Sequence, residues 1–351
     1  MNGMFVINGR FLSQKVTGVQ RFAIELTKRL KEVEKNIIVL APKNIIQQEL
    51  AIELGVKIIG RNVGHLWEQL DLPFYLRKNG NPLLVNFCNT APLLYPNSIV
   101  TIHDLAFLEN PGWFSRKFYL GYRFLIPLIA RKSKRIFTVS EFSKSEIYKK
   151  LKVDKPVDVI YNGVEHITTL NKSEEVYPNQ PYILFVGSLD PRKNMGKLIE
   201  AMKFIRQGVV LKIVGGNNGL FSQLYSDIKL SDRVHFLGYV SDAELSTLYQ
   251  SAVCFVYPSL YEGFGIPPLE AQVSGTPVVA SNIRVFNEVL GDSALYFDPQ
   301  NSKDIASTIC KLLALNISER NQLIEKGYNN IKRFNWQNSA NRVIEKVKLS
   351  K

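Results

Sequence analysis

Two glutamates, Glu262 and Glu270, stand eight positions apart in the stretch PSLYEGFGIPPLEAQVSGTPVVAS, residues 258–281. Gly263 and Gly265 allow backbone N–H groups to approach a ligand, and the two prolines that follow suit the first turn of a short helix. Because a helix N-terminus with free N–H groups binds anions, the stretch predicts a diphosphate site. We expect Glu270 in the first turn and both carboxylates beside the anion, accepting hydrogen bonds from hydroxyl groups. The competing interpretation is a solvated Glu262 and a Glu270 that only complements the helix dipole.

A basic pair, Arg192 and Lys193, follows a second apolar run in the stretch YILFVGSLDPRKN, residues 182–194. Two cations after a strand can hold a diphosphate and stabilise the charge that builds on it when a bond to it breaks. The competing interpretation is a solvated helix N-terminus that is capped by Asn194.

Two further stretches carry candidate residues in the first half of the chain. His103 and Asp104 follow an apolar run in TIHDL, so His103 is a candidate ligand contact and Asp104 could orient it or a second substrate. A lone histidine is as often structural. Gly18, in TGVQR before an amphipathic helical pattern, could pass close to a phosphate or simply form a turn. Arg10 and Arg21 fit either a site or ordinary salt bridges.

These stretches resemble the retaining glycosyltransferases of family 4, and the resemblance covers nearly the whole chain. Its centre is EGFGIPPLEA with SGTPVVAS, where two glutamates separated by seven residues match the family signature. Other matching stretches are NGRFLSQKVTGVQR, HLWEQLDLP, TIHDL, VSEFSKSEI, YNGVE, VGSLDPRKN and FLGYVSDAEL. The resemblance implies the GT-B fold, with two Rossmann-like domains facing a cleft, and transfer with retention of anomeric configuration.

The resemblance also implies a role for each matching residue. Glu270 binds the ribose hydroxyls of a nucleotide sugar, Glu262 holds the sugar, and the pair Arg192 and Lys193 holds the diphosphate. Many family members place an arginine directly after the strand glycine, where this chain has Ser188, so the cationic role rests on the pair. Further donor contacts are implied for Gly18, His103, Gly187, Gly263, Phe264 and Gly265 and, near the base, for Tyr239 and Val240.

Short apolar runs alternate with helical patterns along both halves of the chain. Unbroken runs such as NIIVLAP, SIVTIHD, YILFVGS and TPVVAS are typical of parallel strands that are buried on both faces. The alternation predicts an α/β protein with two doubly wound, Rossmann-like parallel sheets. We place the domain boundary in a polar, proline-containing stretch. The expected domains are an acceptor-binding domain at 1–170 and a nucleotide-sugar-binding domain at 171–351, with the final helix, about 336–351, packing back on the first.

The charge of the chain is concentrated in its first half. The net charge is +13, and residues 1–165 hold 24 lysines and arginines against 14 acidic residues. A field of this sign favours anionic partners and says nothing about the fold. Nucleic acid is one such partner, but the chain has no recognised nucleic-acid-binding signature, so we exclude it. Three widely spaced cysteines are typical of a reduced, cytoplasmic protein and form no metal-ligand pattern.

The stretch WFSRKFYLGYRFLIPLIARKSKR, residues 113–135, mixes aromatic and aliphatic residues with seven lysines and arginines. A helix of this composition can lie in an anionic bilayer interface, although a core-packing helix followed by a basic turn has the same composition. We therefore expect a cytoplasmic protein with peripheral contact to the inner face of the cell membrane. No signal peptide or spanning segment is indicated.

The expected activity is transfer of a hexose from a nucleotide-diphosphate sugar to a hydroxyl of a polysaccharide or lipid-linked oligosaccharide. GDP-mannose is the favoured donor, and donors with rhamnose, fucose or glucose remain alternatives. A nucleotide-sugar epimerase of the same architecture is the other enzymatic alternative. We expect no cofactor and no essential metal, because basic side chains can replace the cation and the Asp-x-Asp pair of metal-dependent sugar transferases is missing.

Overall fold

The computed structural model describes residues 5–164, 180–188, 190–216 and 232–350. The chain divides into two compact units. Unit 1 comprises Met1–Gly163 with Asn335–Lys351, and unit 2 comprises Val164–Phe334. The expected boundary, between residues 170 and 171, lies outside the described residues.

Unit 1 is built on a seven-stranded sheet in which all strands are parallel. The strand order is β3-β2-β1-β4-β5-β6-β7, so the order reverses between β1 and β4. The strands are β1 Val6–Asn8, β2 Ile38–Ala41, β3 Lys57–Ile58, β4 Leu84–Asn86, β5 Ser98–Thr101, β6 Arg135–Thr138 and β7 Val157–Val159. All except β3 are mostly or wholly buried, as unbroken apolar runs predict.

The helices of unit 1 connect these strands. Thr17 and Gln20 form a capping box, which fixes the start of α1 at Gly18. The helices are α1 Gly18–Val33, α2 Gln48–Glu53, α3 Gly64–Leu66, α4 Leu72–Lys78, α5 Ala106–Glu109, α6 Arg116–Lys132 and α7 Glu141–Leu151. A π-helical turn, Trp67–Asp71, joins α3 to α4.

Unit 2 has a six-stranded parallel sheet with the order β10-β9-β8-β11-β12-β13. This is the order of dinucleotide-binding Rossmann sheets, and it reverses between β8 and β11. The strands are β8 Tyr182–Val186, β9 Val210–Val214, β10 Val234–Gly238, β11 Cys254–Tyr257, β12 Val278–Ser281 and β13 Ala294–Phe297. The predicted α/β class with two doubly wound parallel sheets is confirmed.

Six described helices belong to unit 2, and one more closes the chain. Those of unit 2 are α8 Met195–Ala201, α9 Asp242–Gln250, α10 Ile266–Val273, α11 Arg284–Val289, α12 Ser302–Leu313 and α13 Ile317–Ile331. The last helix, α14 Trp336–Lys348, belongs to unit 1. Its Trp336 is fully buried, with the ring centroid 5.9 Å from that of Phe22 on α1. Ser339 also donates a hydrogen bond to the Tyr161 carbonyl at 2.7 Å.

Candidate functional site

The point where the strand order of unit 2 reverses lies between β8 and β11. In open parallel sheets, ligands bind beyond the carboxyl ends of the strands at this point. The loop after β8 carries Arg192 and Lys193 in a short 3₁₀ turn, Pro191–Lys193, and the loop after β11 carries Glu262. The structure therefore brings together two of the predicted site segments, because β8 and β11 are neighbours in the sheet although they are far apart in the chain.

Lys193 and Glu262, 69 positions apart in the chain, form a buried ion pair. Lys193 Nζ donates to Glu262 Oε1 at 2.5 Å and to the Tyr257 hydroxyl at 2.7 Å. The two charged residues are only 9% and 7% exposed. Glu262 is therefore not the solvated residue of the competing interpretation, and Tyr257 is a site residue that the sequence analysis missed.

The ion pair keeps both of its partners charged. Burial alone would lower the pKa of Lys193, but attraction to Glu262 and Tyr257 outweighs burial and raises the pKa. Burial alone would raise the pKa of Glu262, but Lys193 and Arg192 outweigh burial and lower the pKa. Burial, reinforced by the charge of Glu262, raises the pKa of the Tyr257 hydroxyl to about 12. At neutral pH the site thus presents an ammonium, a carboxylate and a neutral phenol.

Arg192 adds a second cation next to this pair. Its Nη2 lies 3.4 Å from Asp190 Oδ2, and the Asp190 side chain also accepts the Arg192 backbone N–H at 2.9 Å. The Arg192 carbonyl accepts the backbone N–H of Leu260 at 2.8 Å, which ties the β8 loop to the β11 loop. These contacts hold the predicted basic pair at the carboxyl end of the sheet.

The loop between the two glutamates runs into α10. Gly265 precedes the helix with φ +101°, and a Cβ there would lie 2.7 Å from Phe286 Cε1, so only glycine fits. The two prolines occupy the first turn as predicted, and Gly263 and Phe264 are buried beside them. The Phe264 ring packs edge-on against Phe334 with centroids 5.3 Å apart, which fixes the position of the loop before the helix.

Glu270 lies one residue beyond the predicted first turn of α10. The helix α10 begins at Ile266, so Glu270 is its fifth residue and lies in the second turn. The error arose because the start of the helix was read from the prolines, whereas the left-handed Gly265 sets it. Glu270 Oε2 accepts a hydrogen bond from the buried Tyr249 hydroxyl at 2.8 Å, which orients the carboxylate.

Asn194 joins the loops that follow β8, β11 and β13 at the carboxyl end of the sheet. The sequence suggested for it only the role of a helix cap. It adopts a left-handed conformation, φ +56°, and makes no side-chain capping bond to α8. Its Nδ2 instead donates to the carbonyls of Pro258 at 3.1 Å and Pro299 at 2.7 Å. The only signal in the sequence is that asparagine tolerates left-handed backbone at a strand–helix junction.

The ends of β8, β9 and β10 meet through glycines. Gly187 donates to the Val214 carbonyl at 3.0 Å, and Gly215 donates to the Gly238 carbonyl at 2.7 Å. A Cβ on Gly215 would lie 2.4 Å from the Gly187 carbonyl oxygen, so this close approach requires glycine.

The two residues predicted near the base follow a different strand from the ion pair. Tyr239 and Val240 come after β10, an edge strand that β9 separates from β8. Tyr239 is 86% exposed, so its side chain is open to a flat ligand. The predicted base contact and the ion pair therefore follow different strands, at the carboxyl end of the same sheet.

The two candidates of unit 1 lie in different settings. His103 is buried, and its Nε2 donates to the Phe87 carbonyl at 2.8 Å. Burial lowers the pKa of His103 despite opposing contributions from Phe87 and Asp104, so the ring is neutral and Nδ1 is left as an acceptor. Asp104 accepts the Ala106 backbone N–H at 2.9 Å. Gly18 is the exposed first residue of α1.

The described residues were also searched for groups of side chains that could hold a metal ion and for helices that could span a membrane. Within the described ranges, no group of three or more His, Cys, Asp or Glu side chains could hold a metal ion. Among the helices of the described part of the chain, none is long and apolar enough to cross a bilayer.

Comparison with known proteins identifies the family. The model "Glycosyltransferase Family 4" matches residues 16–166, and "Glycosyl transferases group 1" matches residues 166–330. The O-antigen chain mannosyltransferase RfbU of Salmonella typhimurium is 32% identical over 95% of this chain and 96% of that protein. The chain belongs to glycosyltransferase family 4. The O-antigen chain mannosyltransferase B of Escherichia coli is 28% identical to this glycosyltransferase, with the same coverage.

Solved structures agree on the fold of this glycosyltransferase. Sucrose-phosphate synthase from Thermosynechococcus elongatus superposes with a TM-score of 0.76 at 18% identity, covering 98% of both chains. Anabaena HepE in complex with UDP-glucose gives a TM-score of 0.75 at 18% identity and the same coverage. The predicted GT-B fold and glycosyltransferase class are confirmed.

Proposed function

We propose that this glycosyltransferase moves mannose from GDP-mannose to a sugar hydroxyl of an O-antigen-type polysaccharide or lipid-linked oligosaccharide, with retention of configuration. The observation that carries the proposal is the 32% identity to an O-antigen chain mannosyltransferase along nearly the whole of both chains. Other similar proteins are also mannosyltransferases, including the MMP alpha-(1->4)-mannosyltransferase of Mycolicibacterium hassiacum, 30% identical over 65% of this chain.

The donor site that we propose lies at the strand-order reversal of unit 2. Lys193 and Arg192 hold the diphosphate and stabilise the charge that develops on it as the sugar–phosphate bond breaks. Glu262 holds hydroxyls of the transferred sugar, and Glu270, oriented by Tyr249, holds the ribose. Backbone N–H groups of the loop before α10 bind phosphate or sugar oxygens at the start of that helix.

In this scheme Glu262 has a second role before the donor binds. Its carboxylate neutralises Lys193 while the site is empty, so that a buried ammonium is never left without a partner. When the diphosphate binds, it also pairs with the Lys193 ammonium and so weakens the Lys193–Glu262 interaction. The Glu262 carboxylate can then accept hydrogen bonds from sugar hydroxyls. In unit 1, His103 Nδ1 is likewise an acceptor and suits a ligand hydroxyl.

A sugar-nucleotide panel tests the donor. GDP-mannose, GDP-fucose, UDP-glucose and dTDP-rhamnose are compared by thermal shift and by release of the nucleoside diphosphate with a glycan acceptor. GDP-mannose should give the largest stabilisation, because a ligand that binds the native state raises the melting temperature by mass action. Preferential stabilisation by another donor contradicts the mannose assignment, and isomerised donor without an acceptor supports the epimerase. NMR of the product tests retention.

We also propose that unit 1 contacts an anionic membrane surface through α6. Phe118, Leu120, Phe124 and Leu128 are exposed on this helix, from 38% to 66%, beside exposed lysines and arginines. Apolar side chains flanked by cations are typical of interfacial helices. The proposed location is the cytoplasm, at the inner face of the cell membrane.

Vesicle co-sedimentation tests the membrane contact. The protein should bind vesicles that contain phosphatidylglycerol and not vesicles of phosphatidylcholine alone, and binding should weaken with salt. Phe124→Ser should reduce binding, whereas Ile317→Ser, which removes an exposed apolar residue of unit 2, should not. Equal binding by both variants contradicts the assignment to α6.

A further inference from the structure

Tyr257, the last residue of β11, contacts the buried ion pair of unit 2 through its hydroxyl. The hydroxyl oxygen accepts a hydrogen bond from Lys193 Nζ at 2.7 Å, and the same Nζ donates to Glu262 Oε1 at 2.5 Å. Lys193 Nζ also lies 5.0 Å from the centroid of the Tyr257 ring, within the range of a cation–π interaction. The ammonium is therefore held by two side chains, one charged and one neutral.

The ring of Tyr257 is fixed by aromatic neighbours on three elements. It stacks on Phe185 of β8, with centroids 6.2 Å apart, and on Phe255 of its own strand at 5.7 Å. Phe286 of α11 lies at 5.7 Å, and Tyr257 is only 1% exposed. A ring packed this closely cannot change rotamer without moving its neighbours, so the core of the sheet fixes the position of the hydroxyl.

Glu262, the other partner of Lys193, belongs to the loop between β11 and α10. In the proposed function its carboxylate turns to sugar hydroxyls once the donor binds, and its interaction with Lys193 weakens. The Tyr257 hydroxyl has no such second task. Burial and the charge of Glu262 raise the pKa of Tyr257 to about 12, so the hydroxyl stays neutral at physiological pH. The contact from Tyr257 is thus the one that donor binding leaves in place.

The position of the Lys193 ammonium matters because its side chain is long and flexible. Lys193 is the last residue of the 3₁₀ turn Pro191–Lys193, and its backbone alone does not fix the ammonium. A cation stabilises developing charge best when it is already in place, because no free energy is then spent on ordering it during the reaction. A neutral acceptor on a rigid strand supplies that order without competing with the diphosphate for charge.

We infer that Tyr257 is a positioning residue, whose hydroxyl holds the Lys193 ammonium in place while the sugar–phosphate bond of the donor breaks. The inference rests on the proposed function for the role of Lys193. The hydroxyl takes no part in making or breaking bonds and acts only through Lys193. As the bond breaks, negative charge builds on the departing diphosphate, and GDP carries that charge in full. Loss of the hydroxyl should therefore affect kcat and GDP affinity more than the KM of the donor.

Tyr257→Phe tests the role, because it removes the hydroxyl and keeps the ring among its aromatic neighbours. The full chain is used, with GDP-mannose hydrolysis followed by GDP release and GDP affinity measured by isothermal titration calorimetry. We expect kcat and GDP affinity each to fall roughly tenfold, as for loss of a hydrogen bond to a charged group, and the KM to change less than about twofold. If the sugar-nucleotide panel selects another donor, that donor and its nucleoside diphosphate are used.

Tyr182→Phe is the matched control. Tyr182 begins β8, the neighbouring strand, and is only 2% exposed. Its hydroxyl donates to the Leu248 carbonyl at 2.8 Å, at the end of the sheet opposite to Lys193. The control should lose stability through the missing hydrogen bond and keep the kcat and GDP affinity of the wild type. Equal losses of kcat and GDP affinity in both variants would overturn the inference, because any buried hydroxyl would then have the same effect.

A third comparison tests whether Tyr257 acts through Lys193. In the variant with Lys193→Met and Glu262→Gln there is no ammonium to hold, so adding Tyr257→Phe should not weaken GDP binding further. A further tenfold loss there, or wild-type kcat and GDP affinity in Tyr257→Phe alone, would overturn the positioning role and leave the donor site standing. A wild type that hydrolyses no sugar nucleotide and binds no nucleoside diphosphate would overturn the proposed function itself, and the inference with it.

Discussion

At the scale of single residues, Lys193 and Glu262 form a buried ion pair that contributes to stability. Lys193→Met leaves the Glu262 carboxylate buried without its partner, and we expect a loss of roughly 3–5 kcal/mol in the free energy of unfolding. Lys193→Met with Glu262→Gln removes both charges and should recover most of that loss. Neither variant should turn over the donor. Urea denaturation measures the stabilities, and equal stability of the single and double variants would contradict a buried ion pair.

The same pair predicts a pH dependence of stability. The pKa of Glu262 is lowered by folding, so its contribution is complete above the ordinary glutamate value of 4.5 and is lost as the pH falls through the folded value. The pKa of Lys193 is raised, so its contribution is lost only as the pH rises beyond the ordinary lysine value of 10.5. The stability difference between wild type and the double variant should therefore be flat across neutral pH. A steady change between about pH 6 and 8, measured by urea denaturation, would refute the assignment.

At the scale of elements, Asn194 holds the β8 loop to the loops after β11 and β13. Both Asn194→Gly and Asn194→Ala lose the two side-chain hydrogen bonds. Only the Ala variant keeps a Cβ, which is unfavourable in the left-handed conformation of this residue. We expect the Ala variant to be less stable than the Gly variant by about 1 kcal/mol. Both should lower donor turnover, because the side-chain contacts of Asn194 position the adjacent Lys193.

Thermal unfolding and donor hydrolysis measure the two effects of Asn194. The control for the change in backbone freedom is Lys152→Gly. Lys152 also has a left-handed backbone conformation, and it lies at the end of α7 in unit 1. It should leave donor hydrolysis unchanged, because Lys152 lies in the other unit. If Asn194→Gly hydrolyses the donor at the wild-type rate, the three-loop contact does not position the site.

At the scale of the whole molecule, the last helix belongs to the unit that begins the chain. Trp336→Ala should destabilise unit 1 by roughly 3–5 kcal/mol, because it leaves a cavity against Phe22. Phe334→Ala, two positions earlier, is the matched control, since Phe334 packs on Phe264 in unit 2. Limited proteolysis with mass spectrometry should find new cleavage in unit 1 for the first variant and in unit 2 for the second. New cleavage in the same unit for both variants would contradict the division of the chain into two units.

Local patterns in the sequence predicted the buried strands and the existence of the helix that follows the glycine- and proline-rich loop. Unbroken apolar runs predicted buried parallel strands because both faces of such a strand must be covered, and the glycine- and proline-rich loop predicted α10 because those residues restrict the backbone directly. The prediction that Glu270 lies in the first turn was wrong by one residue, since helix starts are set by backbone angles that the residue types only favour.

Contacts between distant segments were decided only by the tertiary structure. Lys193 meets Glu262, and Arg10 meets Glu68, because the strand order of each sheet places the ends of non-consecutive strands side by side. No pattern in one stretch contains that information, and burial then decides which charges are paired. The sequence by itself therefore determined which residues could do chemistry, whereas the order of the strands decided which of them lie together.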